Sequence, residues 1–246
     1  MDSDDEPLTL SSHALAALQE FKQEEEQRFE QFQSLYNESE KRFDDQQISI
    51  DAFQEDWQLS QFWYDDDTAM TLARALLEGA DENTVIAVAS APSVYAAIKK
   101  IPESELPTRH IYICEYDRRF ALLGGDKYFF YDYNSPENVP EELHHKCHRV
   151  LIDPPFLEED CQTKSAEFAR NLLAKDLGKK TKTGEPQFKL ISSTGERMHA
   201  IISKLYPETK VTDFLPKHKN GLSNEFRCYA SFECSYWKFD TSSSII

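Results

Sequence analysis

The sequence predicts an α/β fold built on one mostly parallel sheet, and three observations carry that prediction. From residue 68 onward, short runs of Val, Ile, Leu and aromatic residues alternate with segments of helical periodicity, the pattern of parallel strands and their crossover helices. Three successive runs close on an acid, at Glu115, Asp132 and Asp153, so one edge of the sheet collects carboxylates. The last two runs, 211–215 and 226–232, have only a polar loop between them, which predicts an antiparallel strand at the end of the sheet.

Residues 1–10 are acidic and poor in apolar groups, and disorder is expected there. Ser11 or Ser12 can cap a helix whose apolar positions, Ala14, Leu18, Phe21, Phe29, Phe32 and Tyr36, recur at threes and fours. A polar run to Gln47 closes this amphipathic arm, dividing the chain into an acidic arm over 1–47 and a domain over 48–246. Residues 56–68 are dense in aromatics, including Phe62, Trp63 and Tyr64, which are costly to leave in water and should pin the arm to the domain. A helix follows over 68–78, its start favoured by Asp65, Asp66 and Asp67 and its end set by Gly79.

The first strand covers 84–89, followed by a turn over 90–93 and a helix over 94–100. Strands two to four cover 110–115, 128–131 and 148–152. Pro154 and Pro155 then lack an N–H and cannot extend a ladder, so the sheet stops at Asp153. A helix over 161–175, a basic loop over 178–186 read as a solvated excursion, a fifth strand over 188–192 and a helix over 196–205 complete the alternation.

The formal net charge is −17, and residues 1–60, with sixteen acids and four bases, carry −12 of it. That balance repels polyphosphate, so nucleic acid is disfavoured and a basic protein partner suits the arm. With no apolar run of membrane length and no basic, then apolar, leader, the chain is expected to be a soluble, cytoplasmic monomer without a membrane partner. Five cysteines without a Cys-x-x-Cys pair read as reduced thiols. His144, His145, Cys147 and His148 cluster, but no second ligand pair stands at zinc spacing, so no metal is expected. Gly-x-Ser-x-Gly, P-loop and His-Glu-x-x-His motifs are absent.

In an open α/β sheet, ligands sit outside the carboxyl ends of the strands, where Asp153 and Phe156 fall. The turn over 90–93 joins a strand to a helix N-terminus but lacks glycine, which makes it a weak cofactor feature by itself. Glu115, roughly 25 residues on, stands at the spacing of a carboxylate that accepts bonds from ribose hydroxyls.

Asp153-Pro154-Pro155-Phe156 after an apolar strand resembles the fourth motif of class I, S-adenosylmethionine-dependent methyltransferases that act on an amino nitrogen. More narrowly, the segments 12–21, 56–64, 90–95 and 224–229 resemble the eukaryotic lysine methyltransferases of translation elongation factor 1-alpha. The resemblance implies a Rossmann-like class I sheet with an N-terminal helical arm, S-adenosylmethionine as cofactor and elongation factor 1-alpha as substrate. It further implies that Asp153 and the Pro154 carbonyl hold the target NH group while Phe156 packs against its carrier. Ser90, Ala91 and Ser93 would approach the methionine part of the cofactor, with Glu115 at the ribose and Asp132 near the adenine. Phe62, Trp63 and Tyr64 would roof the cofactor or the lysine channel. Two alternatives stay open: adenine-N6 methyltransferases of nucleic acid share the motif, and the glycine-free turn would also suit a methyltransferase-like interaction protein without a cofactor.

Overall fold

The computed structural model describes residues 63–219 and 225–241. The expected arm over 1–47 with its helix, and Phe62, lie outside the described residues.

One sheet contains β1 (Ile86–Ala89), β2 (Ile111–Glu115), β3 (Tyr128–Phe130), β4 (Arg149–Ile152), β5 (Lys189–Gly195), β6 (Lys210–Val211) and β7 (Phe226–Ala230), in the order β3-β2-β1-β4-β5-β7-β6. The pairs from β3 through β5 are parallel, and β7 runs antiparallel to both β5 and β6. The antiparallel strand is therefore present but is not the edge, because β6 pairs along its outer side. β6 is shorter than the expected 211–215: beyond Val211, Thr212 bridges to Phe239 and Asp213 donates its N–H to the Lys238 carbonyl.

Alternating side chains of the strands point to opposite faces. Ile86, Val88, Ile113 and Leu151 pack on the face that carries α1 (Asp66–Leu77) and α2 (Pro92–Lys99). Ala87, Ala89, Val150 and Ile152 pack on the other, with Phe168 and Leu172 of α3 (Glu159–Leu172) and Ile202 of α4 (His199–Leu205). Both faces being covered explains why these strands read as continuous apolar runs.

Helix α1 starts as expected from its acids: the Asp65 side chain accepts the Thr68 N–H at 2.7 Å, and Asp66 and Asp67 lie in the first turn. Its end is held from the sheet. Arg149, fully buried at the start of β4, donates from Nη1 to the Leu76 carbonyl and to the Glu78 carbonyl at 2.9 Å, and from Nε to the Gln187 carbonyl at 3.2 Å. Lys189, its register partner on β5, donates to the carbonyls of Ala75 at 3.0 Å and Glu78 at 2.7 Å. Two cations thus satisfy the carbonyls that a helix C-terminus leaves unpaired and complement its dipole.

Gly79 then reverses the chain at φ 70°, and a Cβ there would meet Glu185 Cβ at 3.3 Å and Cγ at 3.2 Å. Gly79→Ala is expected to cost about 1–2 kcal/mol, read as a melting temperature lower by roughly 3–6 °C. An unchanged melting temperature would show that this turn relaxes without strain.

The basic loop is solvated as expected apart from Thr181, which is buried, and it is tied down at one point: the Lys182 N–H donates to Asp81 Oδ2 at 2.9 Å, and Lys182 Nζ pairs with Glu82. Asp81, which also accepts from Thr84 Oγ1 and the Asn83 N–H, is the anchor. Strand β5 continues past Ser192 to Gly195, because β7 supplies ladder partners for Ser193, Thr194 and Gly195.

Candidate active site

Strand order reverses between β1 and β4, the switch point at whose carboxyl edge open α/β sheets bind ligands. The ends of β2, β1, β4 and β5 stand there side by side, carrying Glu115, Ser90, Asp153 and Ser193.

Asp153 still donates its N–H to the Ala89 carbonyl at 3.1 Å, so it extends the pairing with β1 by one residue before Pro154 ends it. Its Oδ2 lies 2.6 Å from the Tyr64 hydroxyl, which lies 2.7 Å from Ser193 Oγ. A phenol has one proton, and an ionised carboxylate is the stronger acceptor, so with Asp153 ionised Tyr64 donates to it and accepts from Ser193. Among the described residues nothing hydrogen-bonds Oδ1. Burial pushes the Asp153 carboxyl up to about 8; the Tyr64 bond opposes that shift and the nearby Glu115 charge adds to it. Burial raises the Tyr64 phenol well above its usual range, and the neighbouring Asp153 charge raises it further.

Tyr64 is itself pinned. Its N–H donates to Ser93 Oγ at 3.4 Å, its backbone bridges to His218, and its ring lies 4.9 Å from the His218 imidazole. Trp63 turns away into the α1 and α2 core, edge-on to Phe120 at 6.3 Å.

Glu115 is buried, and its Oε1 accepts the N–H groups of Tyr116 at 2.8 Å and Asp117 at 3.1 Å. Beyond it, Tyr116 and Phe130 expose a pair of rings 5.5 Å apart, with the Arg118 guanidinium 4.2 Å above Phe130. Asp132 shapes its own turn, its Oδ1 accepting the Asn134 N–H at 2.9 Å. Ser90 adopts φ 54°, the left-handed conformation that glycine usually supplies in such turns. Ala91 is buried without a capping side chain, and α2 begins at Pro92, two residues before expectation, because proline suits the first turn of a helix. Pro154 is buried, and Phe156 meets Tyr133 edge-on at 5.5 Å.

The fold therefore brings Tyr64, Ser93 and Asp153 together, with Glu115 near enough to act on Asp153 electrostatically. Trp63 is packed in the core instead. Sequence reasoning missed Ser193, because Ser-Ser-Thr-Gly after an apolar run reads as a turn. It also missed Tyr116, whose only signal was adjacency to Glu115, and Gln162, which is buried and donates to the Phe156 carbonyl at 2.9 Å and to Thr194 Oγ1 at 3.1 Å.

A family model described as "Probable N6-adenine methyltransferase" matches residues 55–234. Protein-lysine N-methyltransferase EFM5 of Saccharomyces cerevisiae is 61% identical over 234 residues, 94% of each chain. EEF1A lysine methyltransferase 1 of Gallus gallus is 41% identical, covering 94% of this chain and 98% of that one; its human counterpart is 37% identical, covering 94% of each. Among solved structures, a branched-chain polyamine synthase mutein of Thermus thermophilus shares the fold at a TM-score of 0.51 and 12% identity, covering 76% of this chain and 61% of that one. With a class I, Rossmann-like sheet and relatives matched over 94% of its length, the chain belongs to the eukaryotic protein-lysine N-methyltransferase family of EFM5 and EEF1A lysine methyltransferase 1.

Proposed function

We propose that this chain transfers a methyl group from S-adenosylmethionine to the ε-amine of a lysine in translation elongation factor 1-alpha. The observation that carries the reading is Asp153: a desolvated carboxyl at the switch point, with one oxygen tied to Tyr64 and the other without a hydrogen bond among the described residues. The names of the relatives support the substrate.

The residues at the edge fit the cofactor. Two acids, Glu115 and Asp153, flank the end of β1 and make a field suited to a cationic sulfonium. Glu115 would accept from ribose hydroxyls, Ser90 and Ala91 would leave room for the methionine part, and Asp132 would lie toward the adenine. When bound, S-adenosylmethionine supplies an electrophilic methyl group on sulfur.

The amine must be neutral to attack, whereas a free lysine has a pKa near ~10.4. Burial against Phe156 lowers that value and the Asp153 charge raises it, so the site balances two opposing effects. Asp153 Oδ1 and the Pro154 carbonyl accept the N–H groups and aim the lone pair. Water takes the ammonium proton before attack; as the N–C bond forms and the methyl–sulfur bond breaks, the nitrogen would become cationic and ionised Asp153 would stabilise that charge. Tyr64 stands on the far oxygen of the same carboxylate, and Phe62 would border the channel.

The charge of −17 argues against the nucleic-acid alternative. No helix among the described residues is long and apolar enough to cross a membrane, and the five cysteines are buried and free, which supports a reducing compartment. Incubating the full chain with methyl-labelled cofactor and either elongation factor 1-alpha or oligonucleotides should label the protein alone, on lysine by mass spectrometry. Label in the oligonucleotide would reverse the reading. Absence of cofactor binding by calorimetry would favour the interaction protein.

A further inference from the structure

We propose that Ser193 and Tyr64 form a two-hydroxyl chain that positions Asp153, holding Oδ2 so that Oδ1 is the oxygen presented to the incoming amine. The role assigned to Asp153 rests on the methyl-transfer reading above; the chain itself rests on the contacts of two buried hydroxyls with each other and with a partly buried carboxyl.

Its origin is a mismatch in strand length. Strand β4 ends at Ile152, opposite Ser192, whereas β5 runs on to Gly195, so Ser193 comes to lie beside Asp153. On its other side Ser193 pairs with Cys228 of β7, and its side chain is fully buried. Water cannot satisfy that hydroxyl, and Tyr64 Oη at 2.7 Å is its partner. Tyr64 is equally enclosed, at 1% exposure, and is fixed through its backbone by Ser93 and His218. With Asp153 ionised, Tyr64 gives its one proton to the carboxylate and accepts that of Ser193, so the order then runs Ser193 to Tyr64 to Asp153.

An aspartate carboxyl otherwise turns over a broad torsional well. A bond of 2.6 Å to Oδ2 removes that freedom, as a nitrogen to be aligned with an attacked methyl group requires. The other titratable groups facing the chain are Glu115 from β2, His218 against the Tyr64 ring and Cys228 from β7. Burial lowers His218 to about 4 and raises Cys228 to about 12, so neither titrates between pH 6 and 10.

The test is a ¹³C titration of the Asp153 carboxyl in the free full-length protein, its signal assigned by its loss in Asp153→Asn. Tyr64→Phe removes the donor to the ionised form and should raise the midpoint by about one pH unit. Ser193→Ala should raise it by less, and should add nothing in the Tyr64→Phe background. Ser193→Thr, which keeps the hydroxyl, should restore the parent midpoint. Turnover should fall about tenfold in Tyr64→Phe and about threefold in Ser193→Ala, with cofactor affinity unchanged. An unmoved midpoint in Tyr64→Phe, or a Ser193→Ala shift that persists without the Tyr64 hydroxyl, overturns the proposal. The titration needs no substrate, so failure of the hydroxyl chain and failure of the proposed function are read separately.

Discussion

Asp153→Ala is expected to lower turnover by about 10²–10³-fold while cofactor affinity stays within a few-fold of the parent. The loss follows from where the carboxyl stands: among the described residues nothing hydrogen-bonds its Oδ1, and its surroundings are desolvated, where charge stabilisation is strongest. Single-turnover kinetics with calorimetry of the cofactor separate the two effects, and turnover near that of the parent would remove Asp153 from the chemistry. Stability should move the opposite way. The folded carboxyl titrates near 8 against 3.8 for the ordinary group, so between those values the folded chain binds the extra proton and its stability falls as pH rises. Asp153→Asn removes that penalty. Its melting temperature should match the parent at pH 4 and exceed it at pH 8, by roughly 5 °C for a gain on the order of 2 kcal/mol. A variant less stable than the parent at pH 8 would show that the carboxyl is better solvated than its surroundings indicate.

Arg149→Met should be the most damaging single change on the opposite edge of the sheet. It removes the donors that Arg149 gives to the carbonyls of Leu76, Glu78 and Gln187, and methionine fills much of the volume without supplying any. Lys189 still holds the Glu78 carbonyl, but taking the donor from the Leu76 and Gln187 carbonyls costs about 3–4 kcal/mol, or roughly 10 °C of melting temperature. Burial already lowers the guanidinium to about 10, opposed by the charges of Asp81, Glu78 and Glu185. Lys189→Met should cost less: burial brings that amine down to about 8, the adjacent Arg149 charge lowers it further, and two carbonyls lose a donor. Equal losses in the two variants would mean that Arg149 holds the end of α1 no more strongly than Lys189 does. The same helix begins beside Tyr64, so turnover measured well below the melting transition will show how far its anchoring reaches the site.

The alternation of apolar runs and helical segments was decisive from sequence because it encodes burial on two faces, a property of each residue's immediate neighbours in the chain. Strands β1, β2 and β4 fall within two residues of expectation for that reason, and the acid-rich start and glycine stop of α1 follow from equally local rules. Asp153 before two prolines marked the end of a strand because proline cannot donate to a ladder wherever it sits. The family resemblance of 90–95 and the Asp-Pro-Pro-Phe motif is likewise a matter of contiguous residues. Only the tertiary structure decided what stands against Asp153. Tyr64 lies 89 positions away and Ser193 meets Tyr64 across 129, and a two-hydroxyl chain of that span exists only once β5 has outrun β4 beside it. The same holds for Arg149 and Lys189, whose positions within strands gave no sign that both would hold the end of a helix more than 70 residues earlier. Local sequence determines backbone state because its causes are steric and short-ranged. Partner choice among buried polar groups is set by which groups the packed fold deprives of water, and that is known only when the elements are in place.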